Sequence, residues 1–259
     1  MEKLLTIAGS DSSGGAGIQA DLKTFAAHKS YGMSVITSVT AQNTMGVTDV
    51  VDLPPEFVGK QLDAVFTDIF PDAIKIGMVS DEKIIKVIAK KLKEYDGKNI
   101  VIDPVMVSTS GSALMKSAAT KTLIQELLPL ADIITPNMSE AAVLSGIEVS
   151  KKKDMEKAAE LIGKSIKGAV LVKGGHLRDS ADDLLYMDKK HYWLEGKRIF
   201  NPNTHGTGCT LSSAIAVNLA KGIDILKAVE NAKGYLRGAI RANLDLGKGR
   251  GPLNHLYNI

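Results

Sequence analysis

Short, uninterrupted apolar runs recur along the chain, and between most of them apolar residues return at helical spacing. Residues 4–8 form the first run, which stops at Gly9. A polar, glycine-rich stretch over 10–17 follows, and then Ile18, Leu22, Phe25 and Ala26 share one helical face. Residues 34–40 are β-branched and predict a strand. Pro54 and Pro55 introduce a helix to about Ile69, with Phe57, Val58, Leu62, Val65 and Phe66 on its apolar stripe. The same reading gives strands over 73–78, 99–106, 132–137 and 169–176. It gives helices over 81–95, 114–130, 151–164 and 211–220, with a short one after Asn137. Two hairpin-like strands cover 183–187 and 191–194, and a last helix covers 223–242 before a Gly- and Lys-rich tail.

Strands alternating with helices over most of the length predict an α/β fold, a mostly parallel sheet with helices on both faces. No repeat, low-complexity stretch or linker divides the 259 residues, so one domain is expected. The first apolar run is too short for a secretory signal, and no segment approaches the ~20 apolar residues of a membrane span. A single cysteine excludes an intramolecular disulfide. These features predict a cytoplasmic protein in a reducing compartment. The net charge of +3 comes from scattered residues, and 5% aromatic content offers no stacking platform, so nucleic acid is not an expected partner.

Candidate chemistry concentrates at predicted strand ends. Asp103 closes a buried strand, where open α/β sheets place ligands. Gln42 and Asn43 end another; a carboxamide offers a donor and an acceptor together, although turn chemistry is an equally ordinary use of asparagine. Asn137 and Glu140 stand three apart at a helix start, which suits a ligand pair and a capping box equally. Lys173 leads into a glycine-containing turn. Gly206, Thr207 and Gly208 feed a helix N-terminus, where unpaired N–H groups and the helix dipole favour an anion. Cys209 lies in the first turn of that helix, where the same field favours thiolate. The plainer reading is a tight turn with a threonine cap and a small buried cysteine. Asp21 lies in the first helix, where a solvated carboxylate is the commoner case. Ser108, Thr109, Ser110 and Gly111 form a small-residue loop able to act as a lid. An acid, an amide, a second acid, a cation and an anion-binding turn are the parts that phosphoryl transfer requires. The chain has no G-x-x-x-x-G-K-[ST] loop, no G-x-G-x-x-G register after the first strand and no protein-kinase signature.

The segments 8–21 (AGSDSSGGAGIQAD), 40–44 (TAQNT), 75–78 (KIGM), 103–106 (DPVM), 135–137 (TPN), 173–176 (KGGH) and 205–210 (HGTGCT) resemble, in order, the hydroxymethylpyrimidine/phosphomethylpyrimidine kinases of thiamine biosynthesis. These kinases belong to the ribokinase-like superfamily. The resemblance implies a three-layer α/β/α fold, ATP and Mg²⁺ as cofactors, a homodimer, and two successive phosphorylations of one pyrimidine. It implies that Gln42 reads the ring edge, with backbone near Gly9 and with Met78 and Val105 as apolar walls. Asp21 would lie near the substrate hydroxyl. Asn137, Lys173 and Thr207 would serve ATP, with Glu140 and Asp103 on the metal. Gly206, Thr207 and Gly208 would form the anion hole beside Cys209, which stands where sugar kinases of the superfamily carry an aspartate base. A pyridoxal/pyridoxine kinase of the same superfamily is the alternative, although some of those use two cysteines. A non-catalytic ligand sensor on this fold is a second alternative, disfavoured by the presence of Asn137, Glu140, Lys173 and Cys209 together.

Overall fold

The computed structural model describes residues 1–106, 117–175, 177 and 180–259. Its strands are β1 (Lys3–Asp11), β2 (Tyr31–Asn43), β3 (Gly46–Asp52), β4 (Ala73–Ile76), β5 (Ile100–Ile102), β6 (Ile133–Ile134), β7 (Ala169–Val172), β8 (Asp183–Met187) and β9 (Lys190–Leu194). They form one sheet in the order β3-β2-β1-β4-β5-β6-β7-β8-β9. The interior pairs from β2 to β7 run parallel, while β3, β8 and β9 add antiparallel edges.

The apolar runs are explained by burial on both faces of this sheet. Leu4, Ala73, Val101, Ile133, Ala169 and Leu171 pack with α1 (Gly17–Ala27), α7 (Thr207–Ala220) and α8 (Ile225–Arg241). Their alternates Leu5, Ile7, Ile74, Ile76, Ile102, Ile134 and Val170 pack with α2 (Pro55–Phe66), α3 (Glu82–Glu94) and α6 (Lys152–Gly163). Period-two alternation of side chains thus divides continuous apolar strands between two helical layers. The three-layer α/β/α expectation holds.

Several boundaries differ from the sequence reading. The strand expected over 34–40 is much longer and turns into β3, which the pattern does not announce. Five of the seven residues of β3 are exposed, so this edge strand has no inner face to generate an apolar alternation. The helix read to about Ile69 ends at Phe66. Of the helix expected over 114–130, the described part is α4 (Ser117–Thr122), a π turn (Leu123–Leu127) and a 3₁₀ turn (Leu128–Leu130). Pro129 supplies a reason, because it lacks an N–H and its ring crowds the carbonyl four residues back. The lid expected over 108–111 and His176 lie outside the described residues.

The parallel strands all point their carboxyl ends to one edge. Asp11, Gln42, Met78, Asp103, Asn137 and Lys173 sit at or just beyond those ends, and α7 begins there as well.

Candidate active site

A cavity of about 700 Å³ opens along this edge, within the range of small-molecule sites. Gly9, Gln42, Met78 and Val105 are among the residues that line it. A Cβ at position 9 would stand 2.7 Å from Met78 Cε, so a side chain there would displace the Met78 methyl from the wall. The Gln42 carboxamide spans from Thr40 Oγ1, at 3.0 Å, to His205 Nε2, at 3.3 Å. His205 in turn lies 2.8 Å from Asp11 Oδ2. Asp11 also accepts from Ser13, Gly15 and Ala16 in the β1–α1 loop. Burial works to raise the Asp11 pKa but is outweighed by His205 and these loop donors, which bring it down to about 2.

On the same wall α7 starts at the expected turn, directly after His205. Gly206 is its N-cap, with φ of +84°. A Cβ there would fall 1.9 Å from the Gly15 carbonyl oxygen, so both conformation and space require glycine. Gly208 brings its backbone beside an ion pair: its Cβ position is 3.0 Å from Asp103 Oδ2 and 3.4 Å from Lys173 Nζ. Lys173 Nζ donates to Asp103 Oδ1 at 2.7 Å, and Thr135 Oγ1 donates to the same oxygen at 3.1 Å. Burial opposes the charge on Lys173, but Asp103 and Glu140 together raise its pKa. The two readings of Asn137 and Glu140 coexist: they form a reciprocal capping box at the start of α5 (Met138–Ser145), and both line the cavity. Burial, reinforced by Asp103 and opposed by Lys173, lifts the Glu140 carboxyl to about 7.

Two expectations need correction. Asp21 is absent from the cavity wall. It is fully buried and accepts from Thr6 Oγ1 at 2.6 Å, Ser213 Oγ at 2.7 Å and Lys75 Nζ at 2.8 Å. Lys75 is equally buried, which opposes its charge, but Asp21, Cys209 and Asp103 together outweigh that burial and keep its pKa high. Asp21 therefore ties α1 and α7 to the sheet from behind the cavity wall. Cys209 does line the cavity, half-buried in the first turn of α7, but its thiol is not activated. Burial pushes its pKa up to about 11, against the downward pull of Lys75. Loss of water costs the thiolate more than the helix terminus returns.

The structure also brings in residues that the sequence reading did not assign. Asp11 and His205 meet across 194 positions. Lys197, Arg198, Lys233, Arg237 and Arg250 line the cavity from the turn after β9, from α8 and from the C-terminal tail. Their spacing carries no signal, because three separate segments converge only in space.

Among the described residues no group of three or more His, Cys, Asp and Glu gathers as a metal centre. Asp103 and Glu140 nevertheless fit a divalent cation shared with phosphate oxygens. A carboxyl held near 7 by burial and a neighbouring acid regains its charge when a cation arrives.

Comparison with known proteins identifies relatives of the whole chain. Residues 11–254 match the family model described as Phosphomethylpyrimidine kinase. A hydroxymethylpyrimidine/phosphomethylpyrimidine kinase of Rhizobium meliloti (strain 1021) is 52% identical over 257 residues, covering 98% of this chain and 96% of the relative. The phosphomethylpyrimidine kinase structure from Clostridium difficile 630 aligns with a TM-score of 0.84 at 50% identity, covering 93% of this chain and 100% of that one. The pyridoxal kinase of Staphylococcus aureus, solved with AMP-PCP and pyridoxal, aligns with a TM-score of 0.92 at 37% identity, covering 100% and 95%.

Proposed function

The chain belongs to the phosphomethylpyrimidine kinase family, and from that premise we propose how its cavity performs the two ATP-dependent phosphorylations of thiamine biosynthesis, first of 4-amino-5-hydroxymethyl-2-methylpyrimidine and then of its monophosphate. The observation that carries the assignment of roles is that Gln42 and the Gly206–Cys209 turn border the same cavity. Gln42 holds the ring edge between Gly9, Met78 and Val105, which leaves the hydroxymethyl group pointing to the start of α7. The N–H groups of Gly206, Thr207 and Gly208 and the Lys173 ammonium hold the travelling γ-phosphoryl. Asn137 and Thr207 serve the ATP phosphates, and Arg198 and Arg237 on the wall support the charge of the nucleotide, Lys233 being paired with Asp183. Asp103 and Glu140 would hold Mg²⁺, which when bound would supply positive charge against the developing charge of the transfer.

In the first step the alcohol oxygen forms a bond to the γ-phosphorus, the bond to the β-bridging oxygen breaks, and ADP leaves. The alcohol proton passes to the Cys209 sulfur, which must be thiolate to accept it. In the second step the nucleophile is a phosphate oxygen already ionised near neutrality, with a second pKa of about 6, so no base is required.

The protein acts as a single domain, supported by one sheet that runs from β3 to β9. It is a cytoplasmic homodimer. No described helix is long and apolar enough to cross a membrane. Val39 and Val51, paired across the β2–β3 arm and 45% and 62% exposed, offer apolar surface for a second copy.

Pyridoxal is the competing substrate, because solved pyridoxal kinases share this fold. Measured side by side, kcat/KM for the hydroxymethylpyrimidine exceeds that for pyridoxal by about a hundredfold or more, since a site built around ring-edge hydrogen bonds rejects a ring lacking them. Equal or reversed values would replace the pyrimidine with pyridoxal in this reading.

A further inference from the structure

We infer that His205, held by Asp11, is a positioning residue that fixes which way round the Gln42 carboxamide faces the ring, and with it the choice between 4-amino and 4-oxo pyrimidines. The inference rests on the pyrimidine reading of the cavity and adds to it a reason for the selectivity.

Asp11 sets the distribution of protons in this chain of contacts. Its Oδ1 accepts from the N–H and hydroxyl of Ser13, both at 2.8 Å. Its Oδ2 accepts from the N–H groups of Gly15 at 3.1 Å and Ala16 at 2.9 Å. Four donors from one loop hold the group as a carboxylate, and a carboxylate only accepts. His205 Nε2, 2.8 Å from Oδ2, therefore carries a proton. The ring has no freedom to turn away. His205 is 6% exposed, and even a Cβ at Gly15 would stand 2.3 Å from its Cδ2.

The single Nε2 proton lies between two acceptors, Asp11 Oδ2 at 2.8 Å and the carboxamide atom of Gln42 at 3.3 Å, so Gln42 takes the longer arm of a three-centre bond. That carboxamide atom has to be the oxygen, because an amide NH₂ there would set two donors against each other. A second count, made at the far end of the amide, agrees. Thr40 Oγ1 lies 3.0 Å from the Ser10 carbonyl oxygen and 3.0 Å from the other carboxamide atom. A hydroxyl has one proton, and the carbonyl can only accept it. What remains on Oγ1 toward Gln42 is a lone pair, which calls for a donor, so Nε2 belongs on that side. Setting Oε1 toward Thr40 and Nε2 toward His205 satisfies neither end. Networks of this kind are what assign amide orientation.

One amide N–H and one oxygen lone pair are left for the cavity, in a fixed order. A 4-aminopyrimidine edge presents an N–H donor beside a ring-nitrogen acceptor. Its 4-oxo counterpart has nearly the same shape but presents a carbonyl acceptor beside a ring N–H. A carboxamide free to turn by 180° takes either edge, and one pinned at both ends takes one. The ring itself has no option to reverse, since its hydroxymethyl group must reach Gly208 and Cys209.

The test is the ratio of kcat/KM for 4-amino-5-hydroxymethyl-2-methylpyrimidine to that for its 4-oxo counterpart, a ratio that does not depend on the fraction of enzyme correctly folded. The wild type prefers the amino compound by about a hundredfold or more. In His205→Phe, which keeps a ring but no donor, the preference falls by about tenfold or more. Thr40→Val releases the other end and moves the ratio in the same direction. His205→Gln, which restores an N–H, recovers part of it. An undiminished preference in both His205→Phe and Thr40→Val, with pyrimidine turnover retained, overturns the orientation argument. A wild type that turns over neither ring overturns the pyrimidine reading, and this inference falls with it.

Discussion

Replacing Lys173 with methionine lowers kcat for both phosphorylations by about a thousandfold and makes the stability of the fold strongly pH dependent. The rate effect follows from the position of the ammonium beside Gly208, where the proposed mechanism sets the transferring group; removal of one preorganised donor at such a centre costs about 10²–10³ in rate, and a full charge costs more. The stability effect follows from what remains. Lys173 neutralises Asp103 at 2.7 Å and pulls the Glu140 carboxyl downward. Without it, breaking this buried pair costs about 3–5 kcal/mol at pH 8. Glu140 already sits at about 7, above its ordinary range, so its ionisation opposes folding at alkaline pH. Loss of the cation raises that pKa further. The deficit is therefore largest above it and shrinks as the pH falls through it and the carboxyl takes up a proton. Urea midpoints of variant and wild type at pH 8 and pH 5.5 measure the difference. A deficit independent of pH, or a kcat within tenfold of wild type, would remove Lys173 from the role assigned to it.

Cys209→Ala separates the two chemical steps. The first phosphorylation slows by about tenfold or more, short of the 10²–10⁴ of a base poised near neutrality because little of a thiol at about 11 is ionised there, while the second changes far less because its nucleophile is already ionised. The raised thiol adds a pH signature. With a pKa of about 11, the thiolate fraction grows about tenfold per pH unit between 7 and 9, and the first step accelerates with it. The second step is flat over that interval, and the first step of the variant is flat as well. Single-turnover rates on the alcohol and on the monophosphate from pH 6 to 9 give all four profiles. Equal losses in both steps would show Cys209 to be positional.

Much of the layer architecture was legible in the chain because its parallel strands are buried on both faces and read as continuous apolar runs. Edge strand β3 was not, since a strand exposed on both sides has no period to detect. The irregular helix around Leu123–Leu130 depends on one proline and the packing around it. Within the site, Gln42, Asp103, Asn137, Glu140, Lys173 and Gly206–Cys209 were legible because strand ends and a glycine turn mark them. Asp21 was misjudged because its partners Thr6, Lys75 and Ser213 come from three distant segments. The Cys209 thiol was misjudged in direction because helix position is visible in a sequence and depth of burial is not. Asp11 with His205, and the cationic residues of the wall, depend on contacts that no local spacing encodes.

The central claim is that one cavity brings a single pyrimidine to the same γ-phosphoryl site twice. Counting ADP released per molecule of limiting hydroxymethylpyrimidine, with excess ATP, tests it most directly. Two equivalents released in sequence, with the monophosphate appearing first and accepted as a substrate when supplied alone, is the result this account predicts. One equivalent and an accumulating monophosphate, or no ADP at all, would contradict it.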